Sequence, residues 1–248
     1  MRQWLPIHPF SMRTTFQRCF LVNFAVEPSA LRSQLPPHIE PEIHDGRGYV
    51  SIVIAEMYRM RPAFLPPFLG VTYTQVVYRA AVRCGTEKGV AFLRSDANNR
   101  PMVTFGNAVT FFRFNLATVS WEGANGTVDF SLTPRDGSRG RILAKFEVAA
   151  AGSRMPNSSR FADIERADAF LTERYTAFGG MRADGRVEVV RLARTPWRSQ
   201  VVADRARAYE AMESGLLFSK ETAELDSIFF VQNISYRWNS LALEHLSN

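Results

Sequence analysis

The feature that most constrains this chain is a recurrence of long segments rich in β-branched and aromatic residues, separated by tight-turn signals. Met12 to Val26 (MRTTFQRCFLVNFAV), Gly48 to Met60, Val71 to Cys84 and Ser227 to Trp238 all have this make-up, which suits a pleated surface better than a helix. Asp45-Gly46, Ala124-Asn125-Gly126-Thr127, Arg135-Asp136-Gly137 and Ala183-Asp184-Gly185 supply turns, because Gly and Asn tolerate the positive φ of tight hairpins. Shorter strands are expected at Val90–Arg94, Asn115–Glu122, Val128–Leu132, Arg141–Ala150, Thr172–Phe178 and Arg186–Arg194. Helices are few: Ser29 to Leu35, stopped by Pro36-Pro37, a short one around Asp163–Phe170, and a segment from about Val201 to Met212. Many antiparallel strands with few helices predict a mostly β (α+β) single domain over residues 1–248. Closing the sheet into a barrel would remove its exposed edges.

The stretch from Phe92 to Trp121 reads as strand, helix, strand. Asn98 and Asn99 can accept bonds from free helix amides, and Pro101 suits the first helical turn. Met102, Val103, Phe105, Ala108, Val109 and Phe112 then form a helical stripe, which reads as core rather than a cofactor box. After it the period becomes two. Phe112, Phe114 and Leu116 point one way, and Arg113, Asn115 and Ala117 the other. The polar side faces either solvent or a lined cavity.

The chain has 248 residues, 46% of them hydrophobic, enough for a sizeable core without staples. Its net charge of +6 comes from arginine, since the lysines are Lys88, Lys145 and Lys220 alone. The densest basic set, Arg182 to Arg207, is interleaved with Asp184, Glu188 and Asp204, which suits a solvated face and speaks against a nucleic-acid track. Cys19 and Cys84 stand apart, so neither a disulfide nor a zinc site is expected and a reducing, cytoplasmic setting fits. No apolar run approaches the roughly 20 residues of a membrane span. His38, Glu40, Glu42 and His44 would share a face in a strand, but Pro41 suits a solvated edge, so no metal and no cofactor is expected. Phe64 and Phe68, in the proline-rich loop Pro62 to Gly70, would suit a lid as well as an ordinary packed loop.

Several short motifs together resemble the YqjF-like family of bacterial proteins, within the acetoacetate decarboxylase-like superfamily. They are Ala30-Leu31-Arg32 followed by Leu35-Pro36-Pro37, the Asp45-Gly46-Arg47 turn, the aromatic-proline loop, Val82-Arg83 before a Gly turn, Ser95-Asp96-Ala97 before the helix, Phe170-Leu171-Thr172-Glu173-Arg174-Tyr175, and Pro196-Trp197. Spread this way, they cover most of the chain. The resemblance implies a cone-shaped antiparallel β-barrel whose interior holds a small molecule. It also implies where an imine-forming lysine would stand, on the strand after the helix, and there this chain reads Thr110-Phe111-Phe112-Arg113-Phe114-Asn115. Arginine stays protonated and supplies no free amine. The superfamily enzyme's glutamate falls near Gln75, which cannot shuttle a proton, and its first-strand arginine falls near Arg18.

The expected function is therefore a barrel binding an anionic or carbonyl-bearing metabolite, with Arg18, Gln75, Arg79, Arg113 and Asn115 as polar contacts and phenylalanines as walls. An alternative is a lyase- or hydrolase-type enzyme using Glu56 or Lys145 as acid and base; a serine hydrolase fails because no G-x-S-x-G is present and His8, His38, His44 and His245 are placed in loops, edges or the tail. A third reading, nucleic-acid binding driven by arginine, has no motif behind it. The partner expected is a small-molecule ligand, with no nucleic acid and no membrane, and the sequence allows a homo-oligomer.

Overall fold

A computed structural model describes residues 10–152, 154–204 and 207–245. In chain order its strands are β1 (Met12–Val26), β2 (Glu40–Pro41), β3 (Gly48–Pro62), β4 (Val71–Cys84), β5 (Glu87–Ala97), β6 (Phe114–Glu122) and β7 (Thr127–Pro134). They continue with β8 (Ile142–Glu147), β9 (Thr176–Met181), β10 (Val187–Arg194), β11 (Gln200–Val201), β12 (Ala208–Tyr209), β13 (Ala223–Trp238) and β14 (Ala242–Glu244). The helices are α1 (Pro28–Gln34), α2 (Arg100–Val109), α3 (Ile164–Leu171) and α4 (Glu210–Glu213).

The long β-branched segments form the centre of a mostly β sheet. β1 lies between β13 and β3, β3 pairs with β4, and β4 with β5. β5 pairs with β9, β9 with β10, and β10 with β13, so the circuit of paired strands returns to its start. Two contacts depart from the all-antiparallel expectation: β5 runs parallel to both β6 and β9. The first follows from α2, which carries the chain back over the sheet between β5 and β6, as parallel neighbours require. β6, β7 and β8 then form an antiparallel meander. Its tight turn places Asn125 at φ 55° and Gly126 at φ 78°, the left-handed pair that a two-residue hairpin favours.

Alternation along the circuit makes two cores. Leu21, Val53, Val77, Val90, Ala177, Val190 and Phe229, one from each strand of the circuit, fall in one buried cluster on the inner face. Phe20, Ile52, Val76 and Tyr78 point outward and meet Phe130, Leu132, Ile142 and Phe146 of the meander; the Phe20 and Phe146 rings stack 4.0 Å apart. α3 adds Ile164, Ala167 and Leu171 to the inner cluster.

Local structure departs from the sequence reading at several points: the strand expected over Arg141–Ala150 ends at Glu147, and the last strand begins at Ala223 rather than Ser227. The strand expected from Thr172 starts at Thr176, because α3 runs through Leu171. The helix expected over 201–212 is reduced to α4, because Val201 pairs with Phe229 of β13 and Tyr209 with Ile142 of β8; strand pairing overrides a weak helical pattern. β6 starts at Phe114 because Arg113 takes φ 51° and breaks the extended chain. Among the described residues no helix is long and apolar enough to cross a membrane.

Candidate ligand cavity

The inner core is not solid. A cavity of about 90 Å³ is walled by side chains of β1, β3, β4, β5, β10 and β13 and covered by α2. α2 stands where it does because the Asn99 side chain accepts from the Met102 amide at 3.0 Å and starts the helix beside the end of β5. The expected apolar stripe is only half-buried core: Met102, Phe105 and Val109 line the cavity, and Phe105 is exposed. Most of the wall is aromatic or methionine, including Phe16, Met57, Phe92 and Phe112. Among the described residues the lining holds no Asp, Glu, His or Lys.

Its polar groups are uncharged hydroxyls, an amide and indoles, with Arg79 the charged one. β4 alternation sends Tyr73, Gln75, Val77 and Arg79 to the inner face. Arg79 is 6% exposed and makes no ion pair among the described residues. One N–H donates to the Leu171 carbonyl at 3.1 Å, and the guanidinium lies 5.8 Å from the Trp197 ring centre. Burial brings its pKa down to about 10; Tyr236 and Cys19 pull it back up, and repulsion from Arg194 and Arg174 adds to the lowering. The Tyr73 hydroxyl donates to Gln75 Oε1 at 3.2 Å, which occupies the amide oxygen and leaves the amide N–H groups to serve the cavity. The indole N–H of Trp197 is buried and has no partner among the described residues. Burial pushes the Tyr73 and Tyr236 hydroxyls above the usual range, so both remain neutral.

α3 closes the end of the inner face where Arg79 sits. Arg79, Arg174 and Arg194 donate to the carbonyls of Leu171, Phe170 and Thr172 at 3.1, 2.6 and 2.6 Å, satisfying groups that a helix end leaves free. Arg174 is also paired with Glu42. Arg79 has no such counter-ion. Among the described residues it is a buried charge met by one carbonyl dipole and an aromatic ring, with no carboxylate beside it.

The structure separates the residues expected to act together. Gln75 and Arg79 line the cavity; Arg18, Arg113 and Asn115 do not. Plain alternation from Phe16 would have turned Arg18 inward, but a bulge between Phe16 and Cys19 reverses the faces. Arg18 Nε donates to Glu56 Oε2 at 2.7 Å and the guanidinium covers Trp121 at 4.3 Å. Glu56 is therefore committed on the outer face. Arg113 is exposed, and Asn115 donates to the Ser95 carbonyl at 3.1 Å, tying β6 to β5. Lys145 lies 3.2 Å from Asp129 on the adjacent strand, 43% exposed, away from the cavity.

His38, Glu40, Glu42 and His44 diverge. His38 meets the Gly179 carbonyl, Glu40 pairs with Arg83, Glu42 with Arg174 and Lys88, and His44 stacks on Phe161 at 4.3 Å. Only Glu40 and Pro41 are extended there, so the shared face never forms. His245 lies beyond the last strand, and His8 outside the described residues. Trp197 and Tyr236 were not foreseen as lining residues. The only signal for Trp197 was its place in a Pro-Trp motif.

A family model matches residues 13–234, that of DUF2071, described as an uncharacterized conserved protein. The chain belongs to the DUF2071 family. The uncharacterized protein YqjF of Bacillus subtilis is 25% identical over 171 residues, covering 67% of this chain and 66% of YqjF, just under two thirds of that relative's length. Among solved structures, acetoacetate decarboxylase from Legionella pneumophila superposes with a TM-score of 0.64 at 14% identity, over 98% of this DUF2071 chain and 91% of its own. An acetoacetate decarboxylase-like enzyme from Sphingomonas wittichii gives 0.63 at 11%, over 98% and 95%. The enduracididine biosynthesis enzyme MppR, in complex with pyruvate, gives 0.60 at 12%, over 98% and 93%. At these identities the likeness establishes the fold alone.

Proposed function

We propose that the paired circuit is a cone-shaped β-barrel and that its cavity binds a small carboxylate without forming a covalent bond to it. Arg79 is the carboxylate's counter-charge. The observation that carries this reading is a guanidinium that is 6% exposed, lines a cavity and has no carboxylate partner among the described residues. A buried charge is costly unless paired, and a ligand carboxylate would supply the pair. Trp197, whose N–H has no acceptor among the described residues, offers a second bond. The Gln75 amide, further along β4, suits another oxygen such as a carbonyl. The pyruvate bound by MppR is a ligand of this chemical kind.

Imine chemistry has no amine here, since none of the lining residues is a lysine and Lys145 faces Asp129. Nor do Glu56 and Lys145 reach the cavity to act as acid and base. Titration calorimetry with 4-oxopentanoate and its neutral amide tests the reading. The acid should bind at least tenfold more tightly than the amide, and Arg79→Gln should erase that difference, as expected for a charge-assisted pair. Equal affinity for acid and amide, or an acid affinity indifferent to Arg79→Gln, would overturn it.

A further inference from the structure

The cavity lining reaches along the strands as well as around the circuit. On β4 it extends from Arg79 to Tyr73, six residue steps and so roughly 20 Å of extended chain. The free volume associated with that length is only about 90 Å³. Spread along that length, so small a volume suits an extended hydrocarbon chain better than a compact ring.

Its two ends differ in chemistry. Arg79 and the indole N–H of Trp197, which has no partner among the described residues, mark one end, closed by α3. Toward the other end the wall is Met12, Met60 and Phe105, and the apolar surface does not stop at the wall. Phe105 is 39% exposed, Phe10 stacks against it at 6.4 Å, and Phe10 also meets the edge of Phe64, which is 71% exposed, at 5.7 Å. An isolated exposed aromatic needs no explanation, but a run continuous with a cavity wall does.

We propose that the ligand is a straight-chain aliphatic carboxylate bound head first, its chain running past Val77 and Met57 and leaving between Met60 and Phe105. This rests on Arg79 as the carboxylate's counter-charge. The aromatic run then covers the part of the chain that the strands do not. A straight chain that can extend along the lining then binds better than a branched or ring-bearing acid of equal carbon number, whatever their charge.

The test is calorimetric titration of the full chain with butyrate, hexanoate, octanoate and decanoate, beside cyclohexanecarboxylate and the primary amides of the straight chains. Affinity should climb about threefold to fourfold per added methylene. Cyclohexanecarboxylate should bind at least tenfold more weakly than octanoate. Phe105→Asp should cut decanoate affinity at least fivefold, and more than it cuts hexanoate affinity. An Arg79-dependent affinity for hexanoate that fails to rise with length, or a cyclic acid that binds as well, would overturn the chain proposal and leave the carboxylate reading standing. No Arg79-dependent binding by any acid would sink both.

Discussion

The guanidinium of Arg79 donates to the backbone carbonyl of Leu171, 3.1 Å away at the end of α3, and this is its one hydrogen bond among the described residues. A cation in that position has two explanations. It either caps α3 or waits for an anion. Replacement by methionine separates them, because methionine keeps the packing and removes the charge. If Arg79 serves a ligand, the unliganded Arg79→Met protein should be as stable as wild type or more stable by about 1 kcal/mol, since a buried unpaired charge disfavours folding. A loss of more than about 2 kcal/mol in urea denaturation would make it a structural cap instead.

The depressed pKa of Arg79 sets a pH window. At neutral pH the group is charged, and it loses its proton as pH rises through about 10. Carboxylate affinity should therefore be level from about pH 6 to 9 and fall above 10, approaching tenfold per unit. The sign for stability is opposite. The unfolded chain holds this proton more tightly than the native state, so between about 10 and the ordinary arginine value this group's contribution to stability increases with pH. Binding isotherms across that range, with Arg79→Gln as the flat control, check the first statement.

Glu56 donates nothing to the cavity. Its partner is Arg18, the two side chains 25% and 33% exposed, a geometry in which an ion pair contributes about 1 kcal/mol or less. Glu56→Gln should lower stability by no more than that and leave carboxylate affinity within twofold of wild type. A large loss of binding, measured by calorimetry, would return Glu56 to the site.

Gln75 divides two ligand types. With its oxygen already accepting from Tyr73, the amide meets a ligand chiefly through its N–H groups. Gln75→Leu should weaken 4-oxopentanoate several-fold by removing that donor, yet leave pentanoate bound as well or better, because a plain chain leaves a buried amide unsatisfied. Paired titrations of the two acids measure the crossover.

Much of the framework could be read from side-chain pattern. Met12–Val26 and Val71–Cys84 are strands at the expected boundaries, and Asn99 caps α2 as its position before Pro101 implies. These features are local, so local sequence determines them. Arg18 shows where that ends: an extra residue between Phe16 and Cys19 is invisible in a run of plausible strand residues, yet it moves the arginine to the other face. Segment 201–212 failed for a related reason, since its structure is set by Phe229 and Ile142, far away in sequence. Gln75, placed by the family resemblance, and Arg79 share the inner face of β4 because they lie four residues apart on one strand. Alternation could not show that Arg79 lacks a carboxylate, which depends on every element packed around it.

A crystal structure of the protein grown with hexanoate tests the central claim most directly. The account predicts a carboxylate oxygen within about 3 Å of the Arg79 guanidinium, with the chain directed toward Phe105. Hexanoate held instead by Arg18 or Arg113 on the outer surface, over a cavity filled with water, would contradict it.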